Sequence, residues 1–152
     1  MPIVEDRVEH EIFIDAAPAD VFGYFTDPVL MVRWMGREAK LDARPGGGYR
    51  VEINDLTTAV GEYVAVEPPN RVVLTWGWLG SETVPPGAST VEVTLTPADG
   101  GTRVRLVHRH LPAAGEERAK HEHGWSHFMS RLAVVGSGGD PGPDPMAAST
   151  AG

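Results

Sequence analysis

Apolar side chains recur at helical spacing near the end of the chain, between Glu116 and Val135. They stand four, three, four and three residues apart, at His121, Trp125, Phe128, Leu132 and Val135. This spacing places them on one face of an α-helix. The opposite face carries residues that suit water, namely Glu116, Lys120, Ser126 and Ser130. We therefore predict a long amphipathic helix whose Trp and Phe need a large apolar surface to lie against.

Alternating apolar and polar residues predict a series of strands ahead of this helix. The predicted strands cover residues 8–15, 38–44, 49–54, 57–67, 71–79, 89–96 and 102–111. Asp99-Gly100-Gly101 predicts a hairpin turn, and the three Gly after Pro45 predict a tight turn or bulge. Two short helices follow the first strand, one with Pro18 in its first turn and one from Val29 to Trp34. The pattern predicts an α+β fold in which a curved antiparallel sheet of six to seven strands wraps around the long helix.

The composition of the chain changes after Val135. Residues 136–152 are rich in Gly, Pro and Ala and show no apolar periodicity. Such a segment lacks the side chains that would offset the entropy of ordering it. We therefore expect one domain over residues 1–135 and a disordered tail over residues 136–152.

Charge and composition narrow the classes of function. The net charge of −8 argues against binding nucleic acid, whose phosphates would repel the chain. No apolar run approaches the roughly 18 residues of a membrane-spanning helix, and the N-terminus lacks the basic and apolar segments of a signal peptide. The chain has no Cys, which is compatible with a reducing cytoplasm, the location that we expect.

Two histidines in the last predicted strand are the first candidates for chemistry. The alternation places His108 and His110 on the same face as Val104 and Leu106, toward the helix. Each imidazole there must find a hydrogen-bond partner or stay neutral. One interpretation is a His satisfied by a nearby carbonyl or hydroxyl, and the other is a polar group that lines a ligand pocket.

Four further residues are candidates for a functional site, and each also has a purely structural interpretation. His123 and His127 stand four residues apart on the helix and could share a metal ion, but no third ligand is implied. We therefore interpret them as surface residues and expect no metal or cofactor. Trp34 and Met35 either plug the open end of the sheet or form part of a pocket mouth.

Several short strings resemble the START-like (Bet v 1-like, SRPBCC) superfamily, and within it the homologues of the activator of the heat-shock-protein-90 ATPase. The strings are residues 17–36, the run from Asp42 to Gly47, residues 61–76 and Gly124-Trp125. The resemblance implies a β-α-α-β6-α helix-grip fold with a cavity between sheet and helix. The family usually has two Trp and then Gly-Pro after the second helix, whereas this chain has Trp34-Met35-Gly36-Arg37. The co-chaperone for which the branch is named depends on a separate domain, so direct chaperone activation is not expected.

We expect the cavity to bind a small hydrophobic or aromatic molecule. The residues expected to line it are Trp34, Tyr49, Trp76, Trp78, His108, His110, Trp125, Phe128 and Met129. One alternative is an enzyme that resembles polyketide cyclases or aromatases and uses a cavity His to move a proton. Another is a chaperone-associated or regulatory protein-interaction module, which would expose an apolar patch outside the pocket. A homodimer is one assembly that the sequence allows.

Overall fold

A seven-stranded sheet and one long helix dominate the computed structural model, which describes residues 7–111 and 116–146. The strands are β1 (Val8–Ile14), β2 (Glu38–Leu41), β3 (Gly48–Glu52), β4 (Thr58–Glu67), β5 (Arg71–Trp78), β6 (Ser89–Ala98) and β7 (Gly101–Arg109). The helices are α1 (Pro18–Phe22), α2 (Pro28–Met31) and α3 (Glu117–Gly136), with a 3₁₀ turn over Gly23–Phe25. The predicted order of elements is confirmed.

Every strand pair in the sheet is antiparallel, in the order β1-β7-β6-β5-β4-β3-β2. The turn between β6 and β7 has Asp99 at φ 49° and Gly100 at φ 82°, which is the left-handed geometry that a two-residue hairpin requires. The order places β1, which follows the chain start, beside β7, which precedes α3. The strand that precedes α3 therefore lies next to β1, which forms one edge of the sheet.

Helix α3 buries the face that its spacing predicts. His121, Trp125, Phe128, Leu132 and Val135 are all buried, while Glu116, Lys120, Ser126 and Ser130 are exposed. The helix packs along β1, and its apolar side chains join the core that the inner face of the sheet supplies. The predicted fold, a curved sheet that grips a long helix, is confirmed.

The segment after β1 closes one side of this core. Asp27 caps α2, since its Oδ1 accepts a hydrogen bond from the Val29 amide at 2.9 Å. The helix is shorter than predicted and ends at Met31. Trp34 follows it as a buried side chain whose Nε1 donates to the carbonyl oxygen of Tyr24 at 3.0 Å. Trp34 therefore plugs the sheet instead of standing at an open mouth.

The described part of the C-terminal tail, residues 137–146, lies against the domain. The Asp144 carboxylate is 2.8 Å from Nε2 of His127, and the Asn54 amide donates to the carbonyl oxygen of Met146 at 2.9 Å. Met146 also packs against the core. The composition predicts a disordered tail over residues 136–152, of which residues 147–152 lie outside the part of the chain that the structure describes. For residues 137–146 the structure shows an attached segment instead, because these few side chains find partners on the domain.

No helix in residues 7–111 and 116–146 is long and apolar enough to cross a membrane.

Candidate functional site

The space between the sheet and α3 is nearly filled. The void that remains inside is about 10 Å³, close to the smallest space that holds one water molecule. Its walls are Phe25, Met31, Trp34, Met35, Tyr49, Leu74, Trp76, Val91, Val93, Leu106 and Trp125. This part of the interior therefore has no room for a ligand, because large rings interlock there. Trp34, Tyr49 and Met129 belong to this closed core.

Open space lies instead beside the end of β5 and the first half of α3. This groove has a volume of about 160 Å³. It is lined by Trp76, Trp78, Glu117, Lys120, His121, Gly124, Trp125 and Phe128. Four of the predicted ligand-binding residues are among them, namely Trp76, Trp78, Trp125 and Phe128.

Gly124 is the reason that the groove reaches the helix surface. It lies in the middle of α3, and a Cβ placed on it would meet no atom within 4 Å. Any larger side chain would therefore project into the open space. Gly in a helix interior costs stability relative to Ala, so the Gly124-Trp125 pair, which supports the family resemblance, is also a sequence signal for the groove.

His108 lies behind the groove wall, fully buried, in a chain of hydrogen bonds whose direction is fixed. The indole N–H of Trp125 can only donate, so Nδ1 of His108, at 2.9 Å, must accept. The proton of a neutral His108 then sits on Nε2 and is donated to Oγ of Ser89 at 2.7 Å. Ser89 in turn donates to the carbonyl oxygen of Trp76 at 2.7 Å. The free lone pair of His108 is thus already occupied by an indole.

Both ring nitrogens of His121, in the groove wall, are also hydrogen-bonded. Its Nε2 accepts from Nε1 of Trp78 at 2.9 Å, so its proton sits on Nδ1 and is donated to the carbonyl oxygen of Glu117 at 2.7 Å. The sequence analysis placed His121 on the buried stripe but did not name it as a ligand-binding residue. It therefore belongs with the groove residues that were missed.

Burial holds both histidines neutral. Burial lowers the pKa of His108 well below its ordinary value of 6.5, and the nearby His121 acts in the same direction. Burial also lowers the pKa of His121, against an opposing effect of its hydrogen bond to the Glu117 backbone. The two rings meet edge to face with centroids 5.0 Å apart, so a proton on one ring would disfavour a proton on the other.

The prediction that His110 faces the helix is wrong. Strand β7 ends at Arg109, and His110 adopts a left-handed φ of 67°, which ends the alternation. Its ring is exposed, and its Nδ1 lies 3.3 Å from the hydroxyl of Thr90. The structure therefore places His110 apart from the groove, whereas His108 obeys the predicted alternation.

The aromatic rings of the groove wall form a contiguous group. The centroid of Trp76 lies 5.1 Å from that of Trp125 and 5.2 Å from that of Trp78. Trp76 and Trp125 line both the groove and the small interior void, so their rings separate the two spaces. Among the described residues no group of three His, Asp or Glu side chains is placed to hold a metal ion.

Fold and site together define this protein as a helix-grip protein of the START-like (SRPBCC) class. The family model for activator of Hsp90 ATPase homolog 1-like proteins matches residues 15–136. That match covers most of the chain, which therefore belongs to this family. No curated protein matches the chain.

Solved structures agree with the assignment. An AHSA1-like protein of Rhizobium etli, RHE_CH02687, is 44% identical with a TM-score of 0.73, and the match covers 95% of this chain and 89% of that one. DynU16, from the dynemicin biosynthetic locus, is 27% identical with a TM-score of 0.78 over 90% of this chain. The present chain spans 49% of the length of DynU16. The Aha1 dimer of Colwellia psychrerythraea has a TM-score of 0.76 over 88% of this chain and 97% of that one, and at 18% identity it shares the fold alone.

Proposed function

We propose that this protein binds a small aromatic molecule in the groove beside Gly124. The observation that carries the proposal is the groove itself, about 160 Å³ of space walled by aromatic rings and floored by a glycine. An apolar cavity of about 150 Å³ in another protein holds benzene, so this space suits a single ring with a short substituent. We therefore keep the class of ligand that the sequence predicts, and we propose the groove as its binding site in place of the interior.

The polar groups around the groove support an apolar ligand. The indole N–H of Trp78 and that of Trp125 are already bound to the two histidines, so these rings offer the ligand a carbon surface. Burying about 150 Å² of ligand surface contributes about 4 kcal/mol before the cost of association is subtracted, so we expect a Kd of about 1 mM or weaker. Larger ligands that extend past the rim toward Lys120 would bind more tightly.

The enzyme alternative finds less support in this geometry. A general base needs a free lone pair within reach of a substrate proton. The lone pair of His108 accepts from Trp125, and that of His121 accepts from Trp78. Either histidine would have to give up an indole partner before it could take a proton.

The interaction-module alternative rests on the family match and has no site comparable to the groove among the described residues. Exposed large hydrophobic residues occur at Phe13, Val29, Leu56, Val64, Leu79 and Val134. They lie on six different segments of the chain, and exposed apolar side chains are common on protein surfaces. We therefore argue the ligand-binding function alone.

Titration with ethylbenzene, followed by ¹H–¹⁵N NMR of the indole groups, tests the proposal. Binding should move the signals of Trp78 and Trp125 with a Kd of about 1 mM or weaker and leave that of Trp34, which is hydrogen-bonded to Tyr24 in the core, in place. No saturable shift, or the largest shift at Trp34, would contradict the proposal.

A matched pair of variants shows whether the groove is the site. Gly124→Leu places a side chain in the groove without meeting any atom within 4 Å of the new Cβ, so the fold should persist while binding is lost. Ser126→Leu adds the same side chain to the exposed face of the same helix and should bind as the wild type does. Retained binding in Gly124→Leu would place the site elsewhere.

A further inference from the structure

The four tryptophans of this chain differ in how their N–H groups are satisfied. Trp34 donates to the carbonyl oxygen of Tyr24, Trp78 to His121 and Trp125 to His108. Trp76 is 2% exposed, and its Nε1 has no hydrogen-bond partner among the described residues. Buried polar groups in folded proteins nearly always have a partner, so this exception needs an explanation.

The position of Trp76 supplies that explanation. Its ring lines the groove on one side and the small interior void on the other. The other ring shared by the two spaces, Trp125, is held in place by its bond to His108. No side-chain hydrogen bond holds the Trp76 ring, so it can turn without breaking one. Its Nε1 is buried in the present arrangement, and a ligand in the groove would reach this atom after such a turn.

We propose that the ligand of the groove carries a hydrogen-bond acceptor oxygen next to its aromatic ring, and that Trp76 donates to this oxygen. The inference rests on the proposed function, since it assigns the chemistry of the molecule that the groove binds. An aryl ketone, aldehyde or ester has the required form. Its ring would lie against Trp78 and Trp125, and its oxygen would give the Trp76 N–H the partner that it lacks.

The acceptor is expected to be an uncharged oxygen. Lys120 is the cationic side chain among the residues that line the groove, and it already lies 3.8 Å from a carboxylate oxygen of Glu116 and 3.6 Å from one of Glu117. Glu117 itself lines the groove, so a carboxylate ligand would meet an acidic neighbour. A carbonyl accepts a hydrogen bond without that repulsion.

Two isosteric probes test the inference. Acetophenone and α-methylstyrene have nearly the same shape and differ in carrying a C=O or a C=CH₂ group. The wild-type protein should bind acetophenone about three- to tenfold more tightly, the range for one hydrogen bond. The indole proton of Trp76, assigned by NMR, should move downfield with acetophenone and much less with α-methylstyrene.

Single variants assign the preference to one indole. Trp76→Phe removes the unpartnered N–H and should bind the two probes equally. Trp78→Phe removes an N–H that is bound to His121 and should keep the preference for acetophenone. Equal binding of both probes by the wild type, or a preference that survives in Trp76→Phe, would overturn the inference and leave the proposed function standing. Failure of both probes to bind the wild type would overturn the two proposals together.

Discussion

The interface between α3 and the sheet is closed in one region and open in another. In the closed region, side chains such as Leu74, Val93 and Leu106 surround the same void as Trp34 and leave about 10 Å³. In the open region, Trp78 and His121 border about 160 Å³. Both regions are rich in aromatic rings, so aromatic content alone does not create a cavity. The difference is a missing side chain on the helix, at Gly124, beside a wall in which Trp78 and Trp125 are hydrogen-bonded to histidines.

The polar network is confined to the side of the interface that borders the groove. His108 and His121 orient Trp125 and Trp78 there by hydrogen bonds of 2.9 Å each. Among the walls of the interior void, in contrast, Trp34 and Trp125 are held by hydrogen bonds, while the aliphatic side chains are held by packing alone. We therefore expect the two regions to respond differently to truncation, to pH and to added methyl groups.

Truncation in the closed region should have the largest effect. Leu106 is completely buried beside the interior void, so Leu106→Ala should lower the free energy of unfolding by about 3 kcal/mol, within the 2–5 kcal/mol typical of such changes. Leu79→Ala, at a residue that is 55% exposed, should change it by less than about 0.5 kcal/mol. Chemical denaturation measures both. Equal losses in the two variants would show that the interior is not packed as described.

Acid should weaken the groove wall before it weakens the closed region. The pKa of His108 and that of His121 are lowered by folding, so below pH 6.5 the unfolded chain binds more protons than the folded one. The free energy of unfolding should therefore fall as pH drops from 6.5 to 5, by on the order of 1 kcal/mol per pH unit for His108. His121 should add a loss in the same direction.

Denaturation curves at pH 7.5, 6 and 5 check this dependence. His108→Gln removes one titrating group and should flatten the curve, whereas His123→Gln, at an exposed position, should leave it unchanged. A wild-type protein that is equally stable at pH 7.5 and pH 5 would contradict the account of the two neutral histidines.

Adding a methyl group to a glycine of α3 should have the smallest effect on the free energy of unfolding. It should also distinguish the two regions most clearly, because the change has opposite signs at two glycines of this helix. Gly124→Ala adds a methyl group to open space and should stabilise the protein by about 0.5–1 kcal/mol. Gly136→Ala would bring its Cβ within 2.8 Å of Cγ2 of Ile14 in the closed region and should destabilise it by about 1 kcal/mol. Changes of the same sign in thermal denaturation would contradict the comparison.

Periodicity predicted the fold because each element buries one face. The spacing of the α3 stripe and the alternation of β6 and β7 identified their buried residues, including His108. The prediction failed at His110 because a single residue with positive φ ends the alternation, and neither composition nor spacing marks that residue.

The location of the site was harder to predict than the fold. Trp34 and Trp78 look alike in the sequence, yet one fills the core and the other borders the groove. Which of them has room beside it depends on how rings from different elements interlock, and that is a property of the tertiary structure. The glycine before Trp125 was the one local signal, since a helix interior seldom gains from glycine.

A crystal of the protein soaked with iodobenzene tests the central claim most directly, because anomalous scattering locates the iodine without ambiguity. The account predicts one site, with the ring against Trp78 and Trp125 and beside Gly124. Iodine bound inside the sheet near Leu106, or only outside the groove, would contradict it.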